Sequence, residues 1–348
     1  MNDVLLVICS EDANTEKCTF WSRGISYVFK FFYNNISVKG IWKKLNEVKV
    51  YDSLKVYLLE LPCTKLMKSY ELAVVSKKCD VIFAAIEDIR SKKGIEMFYL
   101  SKQLLNISYF RSYYGEFSTG KLLFQALIIE ILGNFYSNKA DISKLDIVVI
   151  QGENEYEVVN LIRMLYPVTK FITVLTQDKT WFENELEDIY IKTGLSISVM
   201  SDFEKGLKNA DIIICYGDIN KITAYTRLIK RGAMILHYIY DDILYKYGSG
   251  WGLNFLNRER YSNITELDLD NILINDLEIH IPPSIIMKLG NLIPKHFNSL
   301  ELAEILIKSQ ISLPVNAKQR DPALQDLARV FNEGGYYIKQ FKGFKLNK

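Results

Sequence analysis

Short β-branched segments alternate with amphipathic segments between residues 146 and 238, and this alternation constrains the fold more than any other feature of the chain. The predicted strands are Asp146–Ile150, Phe171–Leu175, Ser196–Met200, Asp211–Cys215 and Ala233–Tyr238. The predicted helices between them are Glu155–Tyr166, Trp181–Thr193 with Gly194 as a left-handed C-cap, and Phe203–Lys208 with Asp202 as N-cap. Strands and helices in this order predict a doubly wound parallel sheet, whose ligands bind at the carboxyl ends of the strands.

The rest of the chain predicts a second α/β domain and a C-terminal segment. The first 137 residues contain the predicted strands Val4–Cys9, Lys55–Leu61 and Asp80–Ala85 and the predicted helices Thr64–Lys78, Ile95–Leu105 and Leu122–Tyr136. Helices are also predicted over Ser299–Ser309 and from Asp321-Pro322 to Asn332. Because 348 residues exceed the usual size of one hydrophobic core, we expect an N-terminal α/β domain over 1–137, a Rossmann-like domain over 138–260, and a C-terminal helical segment and tail over 261–348 that packs on both.

Composition limits the partners and the compartment. The 43 basic and 41 acidic residues leave a net charge of +2, so no global field favours nucleic acid or an anionic membrane. The five cysteines are widely spaced without a C-x-x-C pair and the three histidines lack metal-ligand spacing, which predicts a reducing compartment and no metal site. The N-terminal residues lack signal-peptide features, and Leu122–Tyr136 is too short and too polar to span a bilayer, so we expect a cytoplasmic protein.

The turn after the first strand of the predicted doubly wound sheet differs from a dinucleotide-binding turn. A Rossmann unit carries G-x-G-x-x-G there, because glycines let the backbone approach a pyrophosphate at the N-terminus of the next helix. Here the turn contains Gly152, Glu153 and Asn154 and continues to Glu155 and Glu157. Each close like-charge pair costs about 1–4 kcal/mol, which predicts weakened dinucleotide binding. The alternative is a turn built for folding, since acidic residues also stabilise a helix N-terminus.

Further candidate residues follow the other strands. The second strand ends at Thr176-Gln177-Asp178-Lys179, and Thr176 and Gln177 are cofactor-binding candidates there. An acidic residue near this strand end receives the ribose in an NAD site and a basic or hydroxylic pocket does so in an NADP site, so Asp178 or Lys179 suits either purpose, with a solvated turn residue as the alternative. Tyr216 and Gly217 end the fourth strand, and Gly217 either lets the backbone pass close to a ring or ribose or forms an ordinary tight turn. His237, late in the fifth strand, is a candidate catalytic acid or base, with a structural histidine as the alternative.

Two motifs lie in the first half of the chain. Leu61-Pro62-Cys63-Thr64-Lys65 places a lysine shortly after a strand and a proline, and Gly115–Gly120 is a short glycine-bounded segment before the helix Leu122–Tyr136. With the order of elements over approximately residues 55–242, they resemble the shikimate and quinate dehydrogenase family and, more loosely, the nucleotide domain of glutamyl-tRNA reductase. The resemblance implies an NAD or NADP cofactor and makes Lys65 a catalytic candidate, although its spacing differs by one residue and an exposed surface lysine is the alternative.

The resemblance also has a consequence for chemistry. In that family a lysine and an aspartate together manage the proton of the substrate hydroxyl during hydride transfer. The segment Gly115–Gly120 looks like the family's G-x-N-T-D-type motif without its aspartate. The missing carboxylate implies that dehydrogenase chemistry is lost or altered.

Three other motifs each have two interpretations. Gly115–Leu122 matches G-x-x-x-x-G-K without the Ser or Thr that holds magnesium, so it is either a phosphate site or a helix entry capped by Ser118 or Thr119. Gly248–Gly252 is either a mobile lid or a plain turn. After Gly335, aromatic residues alternate with lysines, which either bind nucleic acid or pack as a terminal strand, and the weak charge favours packing.

These observations predict a Rossmann-like protein related to NAD(P)-dependent shikimate dehydrogenase-type oxidoreductases, with lost or altered dehydrogenase chemistry and a small-molecule or regulatory binding role. The alternative is an active NAD(P)-dependent oxidoreductase with an atypical phosphate-binding turn. A small molecule and a protein partner are both compatible with the sequence, whereas nucleic acid and membrane partners are not expected. Whether the chain is an enzyme stays open at this point.

Overall fold

The computed structural model describes residues 3–9, 45–51, 54–61, 72–101, 104, 120–136, 141–152, 154–217, 219, 222, 224–238, 272–290, 296–311 and 320–345. The chain divides into two compact units. The first comprises Met1–Thr119 and Pro282–Asn298, and the second comprises Gly120–Ile281 and Ser299–Lys348. The sequence-based division after residues 137 and 260 stays a prediction. Lys65, Glu153 and the segment Gly248–Gly252 lie outside the described residues.

The first unit contains a four-stranded sheet. Its strands are β1 (Val4–Cys9), β2 (Leu45–Tyr51), β3 (Leu54–Leu61) and β4 (Met97–Leu100), in the spatial order β2-β3-β1-β4. β1 pairs in parallel with β3 and β4, whereas β2 runs antiparallel to β3. Lys288, in the helix Pro283–Leu289, donates a hydrogen bond to the Val50 carbonyl of β2 at 2.9 Å. The predicted strands at Val4–Cys9 and Lys55–Leu61 are confirmed.

Two predicted elements of the first unit are wrong. Asp80–Ala85 is not a strand but part of the helix α1 (Leu72–Lys93), where Ile82, Ile86 and Ile89 are buried at helical spacing. A short apolar run does not by itself distinguish a buried helix from a strand. The predicted helix Ile95–Leu105 instead contains β4, which pairs with β1 and buries consecutive side chains, as parallel strands do.

The second unit contains a seven-stranded sheet. Its strands are β5 (Asp146–Ile150), β6 (Phe171–Leu175), β7 (Ser198–Met200), β8 (Ile212–Cys215), β9 (Met234–Leu236), β10 (Ile272–His280) and β11 (Tyr337–Lys345). The spatial order is β7-β6-β5-β8-β9-β10-β11. All neighbouring pairs from β7 to β10 are parallel, and β11 is antiparallel to β10. This is the strand order of the doubly wound Rossmann fold with an added edge strand, so the predicted fold class is confirmed.

Helices connect and flank these strands. They are α2 (Lys121–Ala126), α3 (Ile128–Tyr136), α4 (Glu155–Leu165), α5 (Lys179–Thr193), α6 (Phe203–Leu207), α7 (Ser299–Lys308) and α8 (Arg320–Glu333), with short 3-10 helices at Ile142–Lys144 and Thr226–Leu228. Leu127 separates α2 from α3 within the predicted helix Leu122–Tyr136. The side chains of Asn154, Asp178 and Asp202 cap α4, α5 and α6, and Gly194 ends α5 with a φ of 71°. The predicted caps at Asp202 and Gly194 are confirmed.

The core of the second unit lies around its central strands. Residues 147–150 of β5 and 212–215 of β8 are buried on both faces, as expected for parallel strands covered by helices. At the edge, β11 pairs with β10, the Tyr337 ring stacks on His280 at 4.3 Å, and Lys339 binds Glu278 at 2.7 Å. The tail therefore packs as a strand, as expected from its weak charge. No helix in the described part of the chain is long and apolar enough to cross a membrane.

Candidate functional site

The strand order of the second unit reverses between β5 and β8, because the chain continues from β5 to β6 and β7 on one side and from β8 to β9 and β10 on the other. In doubly wound sheets, ligands bind at the carboxyl edge beside such a reversal. Gln151-Gly152 follows β5, Thr176-Gln177 follows β6, Tyr216-Gly217 follows β8, and His237 follows β9. The fold thus brings these predicted site residues to one edge of the sheet.

The two turns beside the reversal contact each other through their backbones. A Cβ atom added to Gly152 would lie 2.8 Å from the Tyr216 carbonyl carbon, and one added to Gly217 would lie 2.6 Å from the Gln151 carbonyl oxygen. Real Cβ atoms do not approach other atoms so closely. Both glycines are therefore required by the contact between the turns, whether or not a ligand binds there.

A chain of hydrogen bonds ties the β5 turn to its neighbours. The Thr176 hydroxyl donates to the Gln151 side-chain oxygen and accepts a hydrogen bond from the Asp178 backbone N–H at 2.9 Å. The Gln151 amide in turn donates to Glu155 at 3.1 Å. Thr176 is buried, whereas the Gln177 side chain is exposed. Thr176 is thus bonded within the chain, and of the two predicted residues after β6 only Gln177 faces solvent.

The N-terminus of α4 is also bonded within the chain. The Asn154 side chain accepts a hydrogen bond from the Tyr156 N–H at 3.1 Å, and the Asn154 carbonyl accepts one from the Glu157 N–H at 3.3 Å. These are N–H groups that would otherwise face a bound phosphate. Asn154 replaces the second glycine of the G-x-G-x-x-G pattern and Glu157 replaces the third.

Lys121 compensates the charge of Glu157. Its ammonium group lies 2.7 and 2.8 Å from the two carboxylate oxygens, and the Glu157 side chain is only 11% exposed. Of the three carboxylates predicted to oppose a pyrophosphate, Glu157 is thus neutralised, Glu155 is bonded to Gln151, and Glu153 lies outside the described residues. The separation of 36 positions between Lys121 and Glu157 explains why no local sequence signal indicates this ion pair.

Tyr216 lies beside the same ion pair. The Lys121 ammonium is 5.9 Å from the centre of the Tyr216 ring. The Tyr216 hydroxyl oxygen is buried and has no hydrogen-bond partner among the described residues. Burial, followed by the negative charge of Glu157, raises the pKa of this hydroxyl well above its ordinary value. The hydroxyl therefore stays protonated and is an unused hydrogen-bond donor and acceptor.

Lys121 begins α2, and this helix start differs from the prediction. The N-cap is Gly120, which has a φ of 97° and makes no side-chain cap bond, and the predicted capping residues Ser118 and Thr119 lie outside the described residues. The carboxylate of Glu304, from α7, instead accepts the Leu123 N–H at 2.8 Å. Because Lys121 binds Glu157, its position favours the helix-entry interpretation over the phosphate site. Gly115–Thr119 lie outside the described residues.

His237 is held by the backbones of two neighbouring strands. Its Nδ1 lies 2.9 Å from the Cys215 carbonyl oxygen at the end of β8, and its backbone N–H donates to the Ile274 carbonyl of β10 at 3.0 Å. A carbonyl oxygen only accepts, so Nδ1 carries the proton and Nε2 is the basic nitrogen of the neutral ring. Its catalytic role stays a prediction. In the described ranges, no three His, Cys, Asp or Glu side chains form a group that could hold a metal ion.

No protein-family model and no curated protein matches the chain. Among solved structures, it is similar to quinate dehydrogenase from Corynebacterium glutamicum in complex with NAD, at 9% identity and a TM-score of 0.34 over 95% of this chain and 100% of that chain. Similarity to Mycobacterium tuberculosis shikimate dehydrogenase reaches 7% identity and a TM-score of 0.33 over 94% and 99% of the two chains. L-tryptophan dehydrogenase from Nostoc punctiforme is similar at 9% identity and a TM-score of 0.33, over 96% of this chain and 83% of that chain. At these identities and TM-scores the similarities assign the chain to no family.

Proposed function

We propose that this chain is a Rossmann-like small-molecule-binding protein that no longer binds a dinucleotide pyrophosphate at its β5 turn, and whose dehydrogenase chemistry is lost or altered. The observation that carries the proposal is the closed N-terminus of α4, where Asn154 accepts the Tyr156 and Glu157 N–H groups. In a nucleotide-binding Rossmann turn such groups bind phosphate.

Charge and packing at the same turn support the proposal. Glu155 and Glu157 occupy the first turn of α4. A phosphate brought close to an unpaired carboxylate is opposed by about 1–4 kcal/mol, depending on the effective dielectric. The Gly152 backbone is in contact with Tyr216 and leaves no space for even a methyl group on that side. Because Lys121 neutralises Glu157, the Glu155 carboxylate is the described group that opposes a phosphate by charge. The turn also withholds the hydrogen bonds that would bind a phosphate.

The remaining groups at the carboxyl edge favour a ligand without a phosphate at this position. The Tyr216 hydroxyl has an unused hydrogen-bonding capacity but is closed off from solvent, whereas the half-buried His237 presents a ring oriented by the Cys215 carbonyl. Such groups recognise neutral hydrogen-bonding ligands. A regulatory role through such a ligand, or through a protein partner, is part of the proposal. The proposed relation to shikimate and quinate dehydrogenases rests on the motifs at Leu61–Lys65 and Gly115–Gly120.

Fluorescence titration with NADH and NADPH tests the proposal. The purified chain should show no saturable change up to millimolar cofactor, while an NAD-dependent dehydrogenase in the same buffer serves as positive control. Saturable binding by the wild-type chain would refute the proposal and favour the active NAD(P)-dependent oxidoreductase, in which His237 is the candidate acid or base.

A matched pair of variants tests the physical reason. N154G restores the second glycine and removes the side-chain cap, at a cost to helix stability of only a few tenths of a kcal/mol. Adding E157Q removes a carboxylate and leaves the Lys121 ammonium available to a phosphate. The double variant should bind NADH more tightly than the wild type, whereas D202G, which removes the cap of α6 instead, should not. Equal binding by the N154G/E157Q and D202G chains would show that the α4 turn does not control cofactor binding.

A further inference from the structure

A cavity in this unit lies away from the carboxyl edge. It has a volume of about 520 Å³ and is bounded by α3, by the last turn of α4 with the following Tyr166-Pro167, and by α8. Because α4 starts at the carboxyl end of β5 and ends before β6 begins at Phe171, its last turn lies at the opposite, amino edge of the sheet. The volume falls within the range of small-molecule pockets.

Two opposite charges line this cavity. Arg163 projects from the last turn of α4 and Glu130 from α3, and both side chains are half-buried. Neither forms a side-chain hydrogen bond or an ion pair with any described residue. Burial raises the pKa of the Glu130 carboxyl, and no neighbouring positive charge opposes that shift. The two charges thus face one space without being paired to each other.

Half-buried charges without partners are unfavourable, because each loses hydration that nothing replaces. An arginine fork matches a carboxylate with two parallel hydrogen bonds, and a carboxylate matches an ammonium group. The rest of the lining is largely apolar, with Ala126, Met164 and Ala328 beside the exposed amides of Gln325 and Asn332. A molecule that pairs both charges must therefore carry an anion, a cation and a compact apolar body.

We propose that this cavity binds a free amino acid or a similarly small amphoteric molecule, with its carboxylate on Arg163, its ammonium group on Glu130 and its apolar side chain on Ala126, Met164 and Ala328. The proposal does not depend on what binds at the carboxyl edge, since the two sites lie at opposite edges of the sheet and share no residue. It also accounts for the two unpaired charges, which the Rossmann scaffold itself does not require.

Isothermal titration calorimetry of the full chain tests the proposal with leucine, methionine and phenylalanine as probes. At least one should bind saturably at a single site. Analogues of that amino acid that lack one of its two charges should bind at least tenfold more weakly. For leucine, these analogues are 4-methylpentanoate, which lacks the ammonium group, and 3-methylbutylamine, which lacks the carboxylate. If none of the three amino acids binds, or if an analogue binds as tightly as its parent, the proposal is overturned.

Charge-removing variants assign the two contacts. R163Q should weaken binding of the amino acid at least tenfold without changing the affinity of the amine analogue. E130Q should weaken binding of the amino acid without changing the affinity of the carboxylate analogue. R231Q and E187Q, which remove exposed charges elsewhere in this unit, are the matched controls and should bind as the wild type does. Circular dichroism melting checks that each variant is folded. Unchanged affinity in both R163Q and E130Q would place the ligand elsewhere.

Discussion

Replacing Glu304 by alanine should destabilise the second unit by about 3–5 kcal/mol, the usual cost of removing one partner of a buried ion pair. Glu304 is fully buried and its ion-pair partner Lys308, one turn later in α7, is only 8% exposed. The other Glu304 oxygen accepts the Leu123 N–H at 2.8 Å and so caps α2. E304A therefore removes the ion-pair partner of a buried ammonium group and the acceptor of the Leu123 N–H.

A double-mutant cycle measures this coupling. K308M alone should also cost about 3–5 kcal/mol, because it leaves the Glu304 carboxylate buried without its cation. The double variant E304A/K308M removes both charges and leaves the Leu123 N–H without its Glu304 acceptor, which costs about 1–3 kcal/mol. Urea unfolding followed by circular dichroism gives the free energies. Additive single and double effects, or single effects below about 1 kcal/mol, would refute the assignment of a coupled buried pair.

Three further predictions concern the same unit. Y216F should raise the free energy of unfolding by up to about 1 kcal/mol, since it removes a buried hydroxyl without a partner; a loss of similar size would show that the hydroxyl is bonded. G152A should cost about 1–3 kcal/mol through overlap with the Tyr216 carbonyl, whereas G133A, whose Cβ meets nothing within 4 Å, should not destabilise the chain. Burial raises the pKa of Tyr136 to about 12, so the folded chain keeps a proton that the unfolded chain loses above about pH 10. Stability should therefore fall with rising pH between these values, and an equally steep fall in Y136F would contradict this origin.

Much of the Rossmann sheet could be predicted from the sequence, because local pattern determines it. The strands at 146–150, 171–175 and 212–215 are short apolar runs between capped helices, and the structure confirms them. The prediction failed where a short apolar run fits both a strand and a buried helix. The run Asp80–Ala85 was predicted as a strand, but it lies within the 22-residue helix α1. No strand was predicted at residues 272–280, because β10 places Asn275, Asp276 and Glu278 among its apolar residues.

The location of the candidate site could also be predicted, but its interactions could not. The rule that ligands bind at strand ends identified Gly152, Thr176 and Tyr216 as neighbours. The contacts that decide their roles join residues far apart in the sequence, as Thr176 with Gln151 and Lys121 with Glu157 do. Neither pairing follows from the spacing of residues, because each depends on which turns the folded sheet brings together.

The helix Pro283–Leu289 has a consequence for how this chain can be divided. It belongs to the first unit, although it lies between β10 and α7, which belong to the second. The backbone therefore passes between the units at three places, after residues 119, 281 and 298. A fragment ending at residue 119 lacks the lysine that bonds to β2, and on the ribosome the first unit stays incomplete until residue 298 has been added. Proteolytic cleavage at one of these places would leave both fragments joined by the remaining packed segments.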